Sequence, residues 1–304
     1  MDAAPAELDP AANGRMADAF DIGKCLSFGF ESLKAASLTL WLGAFLMNCT
    51  SGGGGGTSSF NPMSGGDTED LGEFADPEAL KRMLPDFSDP VVLGVVAGIV
   101  LLVVILVMVG IAIQSYLEPG WIRAQRQALT EGKAPADVLL SGGSVFFPMF
   151  QWKLLAMGIR FGVGMVAVLP GAAIAAVGAQ QESLAIGVVG GIVAVVFGGT
   201  VSLWLGLGLM FGSHAVALDG VGASEALERS WSLAKGNRLM LLLVVVVYSV
   251  VNGLATFVGL MMLCIGALFT GPAGRAITDT AVTAGYLRAT RGLETSDAWA
   301  TTAK

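Results

Sequence analysis

The chain has 304 residues, 54% of them apolar and only 13% charged, with a formal charge of −7. A water-surrounded domain carries roughly a quarter charged residues, so that class is excluded. Several stretches here run long enough without charge to cross the ~30 Å hydrocarbon core of a bilayer.

Residues 1–17 are rich in Ala, Pro, Asp and Gly and read as a disordered N-terminus. Residues 18–34 space apolar side chains among charges at helical intervals, which predicts an amphipathic helix lying at the membrane interface. A first span follows over about 35–50. Residues 50–89 form an extracytoplasmic loop that is glycine-rich, then acidic. Its "SGGGGGTSSFNPMSGGD" is a flexible linker; no strand precedes it and no Gly-Lys-Ser/Thr follows, so it is no phosphate loop. Within that loop "DPEALKRML", 76–84, predicts a short surface helix with Asp76 as N-cap and Pro77 in the first turn.

The second span covers 90–114 and runs on to Gly120. An amphipathic segment is expected at about 135–150, a third span at 153–178, a turn at "AQQES", and a fourth span at 185–211. "GASEALERSWSLAKGNR", 222–238, predicts another interfacial helix with Ser224 as N-cap. The apolar run from 239 is too long for one perpendicular span. It divides into a fifth span and a sixth ending near Arg288, with the turn at Asn252-Gly253 or at Gly271-Pro272. Residues 292–304 are a cytoplasmic tail.

Basic residues set the orientation. Arg15, Lys24 and Lys34 precede span one; Arg123, Arg126, Lys133 and Lys153 lie between spans two and three. Arg229, Lys235 and Arg238 lie between four and five, and Arg288 and Arg291 follow six. The loop at 50–89 opposes Lys81 and Arg82 with Asp67, Glu69, Asp70, Glu73, Asp76, Glu78, Asp86 and Asp89. Positive charge stays cytoplasmic, so both termini are expected in the cytoplasm.

The chain also repeats itself. "GWIRAQR" at 120–126 returns as "GYLRATR" at 285–291. With Leu26, Leu139 and Leu227 aligned, Gly29, Gly142 and Ser230 fall three positions on, and Trp41, Leu154 and Leu242 fall fifteen on. Each unit then closes at Gly120, Gly212 or Gly285. The expected fold is therefore all-α and integral to the membrane. Its six transmembrane helices form three hairpins in one orientation, each preceded by an interfacial amphipathic helix. The membrane domain covers 18–291, with repeats at about 18–126, 135–219 and 222–291.

"SEALERSWSLAKGNRLMLLLVVVV" with the later "TAGYLRATR" resembles the glycerophosphoryl diester phosphodiesterase membrane-domain family and related uncharacterised six-span bacterial membrane proteins. The resemblance implies a bacterial inner-membrane protein and not a reaction. The residues agree. The only histidine is His214, and Cys25, Cys49 and Cys264 follow no metal or disulfide spacing, so no cofactor or metal is expected. Glu118, His214 and Asp219 lack catalytic spacing, so no enzyme is expected either. No basic patch interleaved with aromatics exists for nucleic acid.

The expected function is to organise lipid or partner proteins; the alternative is a transporter or channel for a lipid-like or small solute. Membrane lipid is the expected partner, beside another membrane protein or a second copy of the chain. Arg123, Arg126, Arg288 and Arg291 are the headgroup-anchoring candidates. Arg160, Asp279 and Arg275 are the intramembrane polar candidates. A charge at such depth seeks a partner; Asp279 can meet Arg160 across the bundle or Arg275 one turn earlier on its own helix. The orientation is checked by labelling: cysteines introduced at Ser64 and Gln181 should react only from outside, and one at Gln127 only from inside. Labelling at 127 by an impermeant reagent in intact cells would overturn it.

Overall fold

The structure, a computed structural model, describes residues 22–50, 90–181, 183–235, 237–261 and 265–291. The predicted N-terminal disorder, the helix at 76–84 and the tail at 292–304 lie outside them. The described elements are helical: α1 (Ile22–Ala35), α2 (Ser37–Thr50), α3 (Pro90–Glu131), a 3-10 segment (Ala136–Val145), α4 (Phe146–Gln180) and α5 (Leu184–Leu209). A short turn at Gly212–His214 passes into a π-helical turn (Ala215–Asp219), followed by α6 (Ala223–Ala234), α7 (Arg238–Met261) and α8 (Ile265–Arg291). Pro90–Glu131, Ala136–Gln180, Leu184–Asp219 and Arg238–Gly259 are long and apolar enough to cross a membrane.

The chain divides into two compact units, residues 58–112 and residues 1–57 with 113–304. In the first, residues 90–112 of α3 are almost wholly apolar and expose Leu101, Leu102 and Leu106. The larger unit holds the cores.

In that unit α1 and α2 bury one continuous stripe: Cys25, Gly29, Ser32, Ala36, Leu40, Ala44 and Met47. The steps of three and four are those of a helix face. The hydrogen-bond ladder crosses the junction, with the Ala36 amide donating to Ser32 (2.9 Å) and the Leu40 amide to Ala36 (3.0 Å). The helix expected at 18–34 thus runs on into the next one. Small residues on the stripe allow close approach to α8. A Cβ on Gly29 would lie 2.5 Å from the Ile277 carbonyl oxygen.

Helices α4 and α5 pack as a hairpin by the same means. A Cβ on Gly171 would lie 2.3 Å from the Ala194 nitrogen, one on Gly178 2.4 Å from the Gly187 nitrogen, and one on Gly190 2.4 Å from the Ala175 nitrogen. Backbones approach this closely where small residues face each other.

Contacts between separate parts of the chain recur. Gly142, in the 3-10 segment, sits on the Tyr116 carbonyl of α3, where a Cβ would be 1.8 Å from the oxygen. Ser230 of α6 donates to the Gly208 carbonyl of α5 (2.7 Å) and accepts from the Phe211 amide (3.1 Å). Gly29 of α1 sits on α8, as above.

Four expectations change. Neither position expected for the turn before α8 holds one, because Asn252-Gly253 falls inside α7 and Gly271-Pro272 inside α8. Gly222 caps α6, placing Ser224 within its first turn. The segment expected at 135–150 is a 3-10 helix that leads straight into α4. Two predicted spans are not among the described helices that are long and apolar enough to cross a membrane. Helix α2 has 14 residues, about 21 Å at 1.5 Å per residue. Helix α8 has 27 residues but carries Arg275, Thr278, Asp279, Thr280 and Thr283, and it is the helix most enclosed by others.

Gly142→Ala should lower the thermal stability of the detergent-solubilised protein, by about 1–3 kcal/mol as overpacking does. Gly98→Ala, where nothing lies within 4 Å, should not. Equal melting of both variants and the parent would contradict the close approach.

Candidate functional site

Helix α8 is lined with polar groups on a course that other helices complete. Arg275 Nε donates to Asp279 Oδ2 (3.2 Å) and its Nη1 to Asn48 Oδ1 of α2 (2.7 Å). Trp121 Nε1 of α3 also reaches Asp279 Oδ2 (3.4 Å). Asn252 of α7 donates to Thr278 Oγ1 (3.0 Å). Further along, Thr283 donates to Gln125 Oε1 of α3 (2.5 Å) and meets His214 Nε2 (3.1 Å). Tyr286 then donates to Asp219 Oδ2 (2.6 Å), which Arg229 Nη1 also holds (3.3 Å). Polar side chains from residue 275 to residue 286 thus tie α2, α3, α7 and the π-helical turn to one helix.

A second cluster joins α3 to α4. Lys153 pairs with Glu118 and donates to Gln114 Oε1 (3.2 Å). Ser213 bonds Glu118 from the turn after α5, and Trp152 Nε1 donates to Ser213 Oγ (3.3 Å). The Trp152 ring fills the notch left by Gly212, where a Cβ would be 1.9 Å from it.

The intramembrane candidates separate. Arg275 and Asp279 form the intrahelical pair, one turn apart. Arg160 lies on an exposed face of α4, within electrostatic reach of Glu118; the hydrogen bonds to Asp279 come from Arg275 and Trp121. The arginines at the helix ends also differ from one another. Arg123 is held by protein: Nε donates to the Ala217 carbonyl (3.2 Å), and Nη1 to the Ser141 carbonyl (2.9 Å) and Ser144 Oγ (3.1 Å). Arg126 lines a groove and forms no ion pair among the described residues. Arg288 keeps Nη1 buried without a hydrogen-bond partner among the described residues. The side chain of Arg291 lies outside the described residues.

That groove, of about 670 Å³, is bounded by α3, the 3-10 segment and the π-helical turn; its polar lining includes Arg123, Arg126, Gln127, Glu131, Ser141 and Asp219. Gln127 lines the groove, and its amide oxygen is buried with no hydrogen-bond partner among the described residues. Sequence reasoning finds the arginines but not the groove, because it forms only when residues near 123, 141 and 219 meet. Arg238 offers a further contact the sequence did not single out. Its guanidinium lies 4.0 Å over the Trp204 ring and 5.0 Å from that of Trp231, a cation–π arrangement.

A double-mutant cycle on Asp279→Ala and Arg275→Ala should show coupling of about 0.5–3 kcal/mol in thermal stability. The cycle with Arg160→Ala should add to within about 0.5 kcal/mol. The reverse pattern would place the partner of Asp279 on α4.

Among known families, the model of a domain of unknown function (DUF7847) matches residues 144–290, just under half of the chain. The match starts at the threshold of α4 and stops one residue short of the end of α8, so it contains the α4–α5 hairpin, α6, α7 and nearly all of α8. No curated protein and no solved structure matches the chain. Over this stretch the chain is similar to a family described by its sequence and not by an activity.

Proposed function

We propose that the chain is a non-enzymatic integral membrane protein of a bacterial inner membrane that organises lipid, with both termini cytoplasmic and six spans arranged as three like-oriented hairpins. One observation carries this reading. The outward faces are apolar, with Phe161, Leu169, Val195 and Val196 more than half exposed, while the polar side chains of α8 are turned inward. Exposed apolar area of that extent marks a contact surface, and inward polar groups are what a hydrocarbon surround requires.

The two short-falling spans fit this scheme. The unbroken run of α1 into α2, residues 22–50, reaches about 43 Å. Helix α8 reaches about 40 Å and is shielded from lipid by its neighbours. The repeat draws support from the recurring contacts. The second unit's Gly142 sits on the first unit's exit helix, the third unit's Ser230 on the second's, and the first unit's Gly29 on the third's. Such contacts close a ring of three.

A non-enzymatic role is supported by the engagement of the nearest acid–base groups. Glu118 is held by Lys153, His214 by Thr283, and Asp219 by Arg229 and Tyr286. Lipid organisation is supported by the arginines at the helix ends expected in the cytoplasm, of which Arg126 lines an open groove and retains donor capacity toward phosphate. The resemblance to the glycerophosphoryl diester phosphodiesterase membrane-domain family points the same way. A solute pathway is the second reading, favoured by the polar course along α8.

Phospholipid should co-purify with the full chain in mild detergent and be identified by mass spectrometry. Proteoliposomes should pass small solutes no faster than empty vesicles. Purified protein free of lipid would overturn the proposal, and protein-dependent flux would favour the second reading.

A further inference from the structure

Building on the lipid reading, we propose that the groove between α3, the 3-10 segment and the π-helical turn binds one zwitterionic phospholipid headgroup of the phosphoethanolamine type. The groove presents both signs of charge without neutralising them internally. Arg126 and Glu131 line it, and neither forms an ion pair among the described residues. Arg123 adds a positive charge fixed by its three protein acceptors. The Asp219 carboxylate is occupied by Arg229 and Tyr286, so it does not oppose a phosphate.

The order of these groups matches the order of charges in a lipid. Beyond its apolar stretch helix α3 brings Arg123 to the groove, held by protein acceptors, and then Arg126. Glu131 comes five residues later, about 7.5 Å further from the apolar stretch. A phospholipid bearing an amine places its phosphate next to the acyl chains and its ammonium beyond. Arg126 thus receives the phosphate as a charge-assisted donor, and Glu131 receives the ammonium. A phosphoglycerol headgroup would satisfy Arg126 and leave Glu131 without a counter-charge. A simple cation would face two arginines.

The test uses the full chain reconstituted in vesicles of equal phosphatidylethanolamine and phosphatidylglycerol, then extracted in mild detergent with the retained lipid quantified. The parent protein should retain phosphatidylethanolamine above its share of the vesicle. Arg126→Ala should reduce retained lipid about twofold to fivefold, as for loss of a partly exposed ion pair. Glu131→Lys, an exchange at an exposed helix end, should keep the parent melting temperature and turn the preference toward phosphatidylglycerol. An unselective parent, or a Glu131→Lys protein with the parent ratio, would overturn the groove assignment while the lipid-organising reading stands. A parent that retains neither lipid would overturn both. Release of bound phosphatidylethanolamine by equimolar free phosphoethanolamine would assign the groove to a soluble compound and overturn the lipid source.

Discussion

Arg275, Asp279, Thr278 and Thr283 lie on one enclosed helix, and each must be satisfied by a hydrogen bond where water is scarce. Leaving such groups unmade costs several kcal/mol each in hydrocarbon. Part of the requirement is met within α8, by the Arg275–Asp279 pair. The rest needs Asn48 from α2, Trp121 and Gln125 from α3, His214 from the turn after α5, and Asn252 from α7. Helices α2, α3 and α7 and the turn after α5 are therefore brought to α8. Their polar residues stand at the depths where α8 demands them.

Close packing is what makes those bonds reachable. A side-chain bridge near 3 Å between helices is possible only if the backbones come close, and the small residues at the contacts allow it. Gly29 lies against Ile277, and Gly142 against Tyr116. Tryptophans fill the larger notches: Trp121 at Gly43, Trp152 at Gly212 and Trp231 at Gly208. Two of these rings also donate hydrogen bonds, Trp121 to Asp279 and Trp152 to Ser213. A tryptophan here serves both packing and polar satisfaction. The outward faces are left to Leu, Val and Phe, which need no partner in lipid.

Much of the helical layout was legible in the sequence, since hydropathy and run length identify α3, α4, α5 and α7 directly. Helix α8 was harder, because its composition is that of a helix shielded by protein and its hydropathy carries no clear signal. The break before it was misplaced for a related reason. Asn252-Gly253 and Gly271-Pro272 look like turn residues, yet Asn252 serves as a donor to Thr278 and Pro272 lies within the first turns of α8. Asp279 and Arg275 could be paired from their four-residue spacing, whereas Trp121, more than 150 residues away, could not. Arg123 and Arg126 look equivalent in the sequence. Only the arrival of Ser141, Ser144 and Ala217 engages the first and leaves the second facing the groove. Spacing along one helix is local information; which carbonyl from another segment meets a guanidinium is not.

The proposed contact of the outward apolar faces with lipid is tested most directly by nitroxide accessibility in reconstituted bilayers. Spin labels at Leu169 and Val196, both outward-facing on α4 and α5, should collide with dissolved oxygen and be protected from a water-soluble nickel complex. Collision with the nickel complex at both positions would mean that these faces meet water, and would contradict the account.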